Sequence, residues 1–332
     1  MFKSVTVIGA GLMGSGIAAH LTNAGIKVNL LDVVLEENEN RNFLAQNAVN
    51  KLTKIVPSPL TLKSNINFIR TGNIEDDLHL INESDWTIEA VLENLDVKKK
   101  LYKKIENIMR DDLIVSSNTS TIPLNKLIEG RIEKFRSNFF ITHFFNPPRY
   151  LKLLEVVSSK EAKADLKKKI VKFCDIYLGK SVIECKDSPG FIANRIGVFW
   201  MLHAAVKAIN ENITVEEADQ IVMRVFNAPK TGVFGLIDVV GLDLVPPVLE
   251  SLLQGVPRND EYHQFDEQPE IFHYMLEKNL IGRKADGGFY KLGEVDGKKL
   301  KYSLNLNTRE YSVSNKPNID SLNLGKKNIK AF

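Results

Sequence analysis

The segment Gly9-Ala10-Gly11-Leu12-Met13-Gly14 constrains this chain more than any other feature. It follows a β-rich run, Ser4–Ile8, and opens a helical stretch from Ser15 to Ala24. Glycine at 9 permits a tight turn, glycine at 11 lets backbone approach a pyrophosphate, and glycine at 14 lets helix and strand pack closely. The unpaired N–H groups and positive dipole end of the helix N-terminus suit phosphate groups, and Leu12, Met13 and Gly14 of the loop are expected to bind the cofactor with Gly9 and Gly11. Asp32 closes the run Val28–Leu31, where a carboxylate would take both adenosine ribose hydroxyls and repel a 2′-phosphate. No arginine follows until Arg41. The pattern predicts a Rossmann domain that takes NAD rather than NADP.

Short β-rich runs alternate with amphipathic stretches through the first 185 residues. The predicted strands are Ser4–Ile8, Lys27–Leu31, Ile66–Ile69, Trp86–Val91, Leu113–Ser116, Phe139–Thr142, Leu153–Val157 and Ser181–Cys185. Helical periodicity falls between them, as over Val97–Met109 and Ala164–Leu178. Such alternation predicts a doubly wound, mostly parallel α/β sheet over residues 1–186, with a helical insertion at about 33–65. An all-helical domain over 187–290 follows, its first helix opened by Pro189 and running to about Asn210. Thr214-Val215-Glu216-Glu217 has the form of a capping box for the next helix. Pro246-Pro247 and Pro257 are expected to break later ones. Residues 291–332, rich in Lys and Asn, read as a short β-like extension and then a polar linker or tail.

A length of 332 residues suits two domains, and 26% charged residues suit an ordinary globular protein. The net charge of +3 gives no argument for nucleic acid. Cys174 and Cys185, eleven residues apart without a CxxC, read as small buried residues, neither disulfide nor metal ligands. The first strand begins too early for a signal peptide, and the apolar stretch Ile196–Ile209 is interrupted by His203 and Lys207, so a cytoplasmic protein with no membrane insertion is expected.

Four further patterns lie at predicted strand ends or helix starts. They are Ser116–Ser120, His143–Pro148, Glu155 twelve residues after His143, and Lys186–Arg195. Together they suit alcohol oxidation: an imidazole takes the hydroxyl proton, and a buried carboxylate fixes its tautomer. Ser120 and Asn194 would hold the oxygen where charge develops. Read singly, each has another explanation. His143 is then a core histidine, Glu155 an edge-strand carboxylate, Ser120 a helix cap near Pro123, and Asn194 a polar residue on a helix face.

Taken together, the segments resemble the 3-hydroxyacyl-CoA dehydrogenase family from Val5 to about Tyr290. The resemblance rests on Gly9-x-Gly11-x-x-Gly14, Glu89-Ala90-x-x-Glu93-Asn94-x-x-x-Lys98, Ser117–Ser120, His143–Pro147, Lys186-Asp187-x-Pro189-Gly190-Phe191, Asn194-Arg195 and Asp238-x-Val240-Gly241-Leu242-Asp243. It implies His143 as acid–base with Glu155 as its partner, and Ser120 and Asn194 on the reacting oxygen. Asn146 would stand between cofactor and substrate, with Glu93 and Lys98 on the NAD side. It further implies a helical domain that closes the cleft and often forms a homodimer. The region after Asp32 corresponds to a helical hairpin on the CoA tail. Here Lys51, Lys54 and Lys63 flank Pro57-Ser58-Pro59, which interrupts any long helix, and Lys51 and Lys54 are the candidate CoA contacts.

Thr231-Gly232-Val233-Phe234-Gly235 departs from many relatives and is expected near the acyl chain. Other segments look closest to bacterial multi-domain fatty-acid oxidation proteins, in which a crotonase-like domain can follow. The implied reaction is reversible, NAD-dependent oxidation of an (S)-3-hydroxyacyl-CoA in fatty-acid β-oxidation. Two alternatives stand beside it: a non-catalytic NAD-binding relative, and a β-hydroxyacid dehydrogenase. The latter class has a lysine four residues before an asparagine, where this chain has Gly190 before Asn194.

Overall fold

A computed structural model describes residues 2–225, 230–295, 297–320 and 322. The chain forms one unit ending at Ile192 and a second beginning at Ala193.

The first unit is built on strands β1 (Ser4–Ile8), β2 (Lys27–Asp32), β3 (Ile69–Asn73), β4 (Trp86–Glu89), β5 (Ile114–Ser117), β6 (Phe139–Phe144), β7 (Leu153–Ser158) and β8 (Ser181–Cys185). They form one sheet in the order β3-β2-β1-β4-β5-β6-β7-β8. β1 to β6 are parallel, β7 pairs antiparallel with β6, and β8 runs parallel to β7. The connecting helices are α1 (Leu12–Asn23), α2 (Phe43–Leu52), α3 (Leu95–Ile108), α4 (Leu124–Ile128), α5 (Glu133–Asn138) and α6 (Ala164–Ile176).

Side chains that alternate along the strands feed two separate cores. Val5, Val7, Trp86, Ile88, Ile114 and Phe140 meet α1, α2 and α6 through Ile17, Leu21, Val49, Ile170 and Phe173. Ile8, Val115, Phe139 and Ile141 meet the other helices through Leu101, Tyr102, Leu127 and Phe135. A sheet covered on both faces needs apolar residues at successive positions, which is why these strands read as near-continuous hydrophobic runs. The chain leaves β1 for β2 and β3 on one side and returns to β4 on the other. That reversal opens a crevice at the carboxyl ends of β1 and β4.

The second unit comprises α7 (Ala193–Asn210), α8 (Val215–Val225), α9 (Phe234–Val240), α10 (Val245–Gly255) and α11 (Glu270–Glu277), followed by an antiparallel sheet of β9 (Tyr290–Val295), β10 (Lys298–Leu304) and β11 (Tyr311–Val313). Thr214 and Glu217 form the expected capping box: Glu217 N donates to Thr214 Oγ1 at 3.3 Å and Thr214 N to Glu217 Oε2 at 3.0 Å. Two buried carboxylates tie the sheet to the helices. Asp219 accepts from Phe234 N at 2.7 Å, Gly235 N at 3.1 Å and Tyr290 Oη at 2.8 Å. Asp238 accepts from Phe289 N at 2.8 Å and Tyr290 N at 2.7 Å.

The structure corrects several expectations. The third strand begins at Ile69; the apolar Ile66–Phe68 run belongs to a 3-10 turn, because a short hydrophobic run does not distinguish a strand from a helical turn. Helix α1 starts at Leu12, ahead of the predicted Ser15, and α7 starts at Ala193 after a turn, so Pro189 does not open it. Pro246 and Pro247 do not break a helix but lie in the first turn of α10, where the missing N–H has no intrahelical acceptor anyway. The insertion at 33–65 holds one α-helix, ending at Leu52 ahead of the prolines, and no second α-helix to complete a hairpin, only the start of the 3-10 turn at Lys63. The expected β-like extension is present as a sheet through Val313, with Phe289 and Leu304 in the helical core; of the expected linker or tail, residues 321 and 323–332 lie outside the described residues.

Burial pushes the carboxyls of Asp219 and Asp238 up to about 6. Both then carry a proton in the folded state, over a range where the unfolded chain has released it. Their stabilising contribution is present in full below the unfolded value of 3.8 and is lost as pH rises through about 6. Calorimetry on wild type is expected to show this unit's midpoint falling as pH rises from about 4.5 to about 6.5. Asp219→Asn should flatten that slope; an unchanged slope would refute the assignment.

Candidate active site

The loop after β1 is shaped by contacts that only glycine allows. A Cβ on Gly9, whose φ is +103°, would meet Ala90 O at 2.4 Å, and one on Gly14 would fall 1.7 Å from Gly9 O. These two glycines let α1 cross β1 and β4 at close range. Gly11 differs, since a Cβ there meets nothing within 4 Å. Its missing side chain serves no internal packing and leaves open space above the N-terminus of α1. No side chain caps that end and its first turn holds no acid, so its N–H groups and dipole are available to an anion. Asp32 ends β2 beside the loop, accepting from Ala10 N at 2.6 Å and Val33 N at 2.7 Å. An uncapped helix start, a clear glycine and a carboxylate at the end of β2 fit NAD.

Below the neighbouring strand lies a second layer. Glu89, with no exposed surface, accepts from Lys98 Nζ and Tyr102 Oη at 2.6 Å each, Ser117 Oγ at 2.7 Å and Val91 N at 2.8 Å. Burial and the Glu89 charge hold the Tyr102 hydroxyl far above its ordinary value, so it stays a donor. Lys98 Nζ also lies 3.2 Å from Glu93. Glu93 in turn gathers the loop after β5, accepting from Thr119 Oγ1, from Ser120 N at 3.1 Å and from Thr121 Oγ1 at 3.1 Å. Desolvation opposes ionisation of Glu93, but the Lys98 charge and the Thr119, Lys98 and Ser120 hydrogen bonds prevail and hold its carboxyl below the usual range. The ammonium of Lys98, expected on the NAD side, is buried between the carboxylates of Glu89 and Glu93.

The β6–β7 pair supplies the acid–base group. Antiparallel register sets His143 directly opposite Glu155, and His143 Nδ1 lies 2.8 Å from Glu155 Oε2. Both are buried. A carboxylate at Nδ1 requires the proton there, which leaves the Nε2 lone pair to take another. Phe145 packs on the imidazole with ring centroids 4.3 Å apart. Asn118 Oδ1 accepts from Phe144 N at 2.9 Å and so ties the Ser120 loop to the end of β6. Burial, followed by the charge and hydrogen bond of Glu155, pushes the Cys185 thiol up to about 11.

Of the residues named from sequence, the first unit brings together Gly9, Gly11, Gly14, Asp32, Glu93, Ser120 and His143 at or beyond the carboxyl ends of parallel strands, with Glu155 near the amino end of the antiparallel β7. Asn146 is exposed in the turn after β6, and Lys51 and Lys54 are exposed at the end of α2. Asn194 belongs to the other unit, in the first turn of α7, where Tyr262 Oη donates to its carbonyl at 3.2 Å. Gly235 lies against Asp219 and Tyr290 in that same unit.

Sequence reasoning assigned no role to Glu89 as the buried anchor, to Asn118, or to Asp187, which accepts from Leu124 N at 2.7 Å and Asn125 N at 3.0 Å. It also missed Lys180, whose buried ammonium donates to Pro148 O and to Leu151 O at 2.7 Å, holding the turn that carries Asn146. Burial lowers that ammonium to about 8. Arg149 and Tyr150 of the same turn donate to Ser58 O at 2.6 and 2.8 Å and fasten it to the insertion. Glu89 and Asn118 stood inside quoted motifs, whereas nothing local marks Lys180.

Residues 4–188 match the model of the 3-hydroxyacyl-CoA dehydrogenase NAD binding domain, and 190–292 that of the C-terminal domain. The chain belongs to the 3-hydroxyacyl-CoA dehydrogenase family. Within that family, a Rickettsia felis protein named as a fatty acid oxidation complex trifunctional enzyme is 42% identical over 97% of this chain and 45% of its own length. A Deinococcus radiodurans "Probable 3-hydroxyacyl-CoA dehydrogenase" is 40% identical over 87% of this chain and 82% of its own. The solved (S)-3-hydroxybutyryl-CoA dehydrogenase of Ralstonia eutropha superposes with a TM-score of 0.70 at 26% identity, covering 87% of this chain and 98% of that one. The chain spans less than half the length of the first curated relatives it matches.

The two layers predict different variant behaviour. Lys98→Met strands the buried Glu89 charge and should destabilise the first unit by about 3–5 kcal/mol. Glu93→Gln should leave thermal stability near wild type while weakening NAD binding several-fold. Equal loss of stability in both variants, measured by thermal melts and NAD titration, would collapse the distinction.

Proposed function

We propose that this chain catalyses the reversible, NAD-dependent oxidation of an (S)-3-hydroxyacyl-CoA to the 3-oxoacyl-CoA, within fatty-acid β-oxidation. The observation that carries the reading is the buried His143–Glu155 pair at 2.8 Å, on the same sheet as the glycine loop. NAD, when bound, would supply the two-electron acceptor that takes the carbinol hydrogen as hydride. His143 Nε2 takes the hydroxyl proton, and Glu155 stabilises the imidazolium that forms. Ser120, held by Glu93 and by the Asn118 link, holds the oxygen as charge builds, and the family resemblance gives Asn194 the same task. Asn146, exposed in the turn after β6, would stand between cofactor and substrate.

Lys51 and Lys54, exposed on the insertion, meet the phosphates of CoA. No helix among the described residues is long and apolar enough to cross a membrane, which suits a cytoplasmic enzyme acting on a thioester in solution. A crotonase-like domain is one proposed partner, in keeping with relatives more than twice as long that are named as trifunctional enzymes, and the helical unit is the candidate homodimer surface.

Three assays test the reading. NADH oxidation followed by absorbance should occur with acetoacetyl-CoA or a long-chain 3-oxoacyl-CoA and not with free acetoacetate. His143→Gln and Glu155→Gln should each lower kcat by about 10²–10⁴ while NAD affinity stays within a few-fold. Asp32→Ala should relax the preference for NAD over NADP. Measurable NAD binding without turnover of any thioester would leave a non-catalytic relative as the better reading.

A further inference from the structure

Two consecutive residues of the segment between β8 and α7 adopt left-handed backbone, Gly190 at φ +69° and Phe191 at φ +51°. Glycine takes that conformation without penalty, but a bulky side chain is strained there. Phe191 is also one of the more deeply buried residues of the first unit, 3% exposed in the core that holds Ile141 and Val157. Its ring lies 5.9 Å from the His143 imidazole, centroid to centroid, on which Phe145 also packs.

The turn has a second consequence. It brings the next backbone N–H, that of Ile192, to 2.9 Å from Glu155 Oε1, while the other oxygen of that carboxylate faces His143. The segment is pinned at its upstream end as well, by Asp187 on the N–H groups of Leu124 and Asn125 at the start of α4. A glycine at 191 would give the same turn without strain, so the backbone alone does not account for a phenylalanine.

We infer that Phe191 is a positioning residue for the acid–base pair. Its ring shields the imidazole from water, and its left-handed backbone delivers the Ile192 N–H that orients Glu155. The inference rests on His143 acting as the acid–base group, so its primary test does not use turnover. Phe191→Gly keeps the turn and removes the ring, and Phe191→Leu restores apolar bulk.

The first measurement is exchange of the His143 Nδ1 proton with water, followed by proton NMR on each protein. Exchange at least tenfold faster in Phe191→Gly, and largely restored in Phe191→Leu, is the expected result. Unchanged exchange in Phe191→Gly overturns the inference, and so does equally fast exchange in both variants. Kinetics give a second reading once wild-type turnover is established. Phe191→Gly should lower kcat on the order of tenfold, about 1.4 kcal/mol of barrier, with KM for NADH within twofold and partial rescue by leucine. A rise in KM for NADH in step with the fall in kcat would mark a general structural role and overturn the inference. Wild type without thioester turnover would count against the functional reading alone, because the exchange measurement still decides the part played by Phe191.

Discussion

Glu89 ends β4 with no exposed surface, and its two oxygens accept from a lysine ammonium, a tyrosine, a serine and a backbone N–H. An ionised carboxylate at such depth is tolerated only when its lone pairs are met by donors and a countercharge stands near. Meeting that demand draws α3, β5 and the loop beyond it towards the end of β4. Lys98, fixed on one side by Glu89, presents its remaining charge to Glu93, and Glu93 collects the N–H and hydroxyl groups of residues 119–121. The shape of the proposed cofactor face thus passes from a buried charge to a half-exposed one and on to Ser120.

Strand direction makes the acid–base pair. Along the parallel part of the sheet each strand delivers its carboxyl end to the crevice, which gathers Gly9, Asp32, Ala90 and Ser120 on one edge. Within this sheet β7 alone reverses against its predecessor, and the register of that antiparallel pair sets Glu155 across from His143. The turn between the two strands is consequently critical. Lys180 holds its carbonyls from the start of β8, and Arg149 and Tyr150 fasten it to the insertion, so the Asn146 position depends on three separated stretches of chain.

Much of this was legible in the residues. The glycine loop, the carboxylate at the end of β2, the alternation of strands and helices and the Thr214–Glu217 cap are local patterns, and local patterns survive in a linear reading. The misplaced third strand and the prolines of α10 show the limit of that approach: a short apolar run and a proline pair each admit two structures, and only neighbours choose between them. The β-like extension was legible, but its attachment to the helical core was not. Its outward lysines dominate the composition, while the few residues that anchor it, Phe289, Tyr290 and Leu304, are thinly spread.

The sequence by itself determined the nucleotide-binding architecture and marked Asp32 as the expected source of NAD preference, because both rest on residue type at short spacing; it named the candidate acid–base pair only through the resemblance to the family. Tertiary structure decided what those residues do to one another. Lys98 is a buried strut because β4 ends in Glu89; Lys180 holds a turn some thirty residues upstream; and the segment 187–192 belongs with the first unit because Phe191 fills that unit's core and Ile192 meets Glu155. Such roles depend on burial and on partners distant in sequence, and neither property exists until the chain has closed on itself.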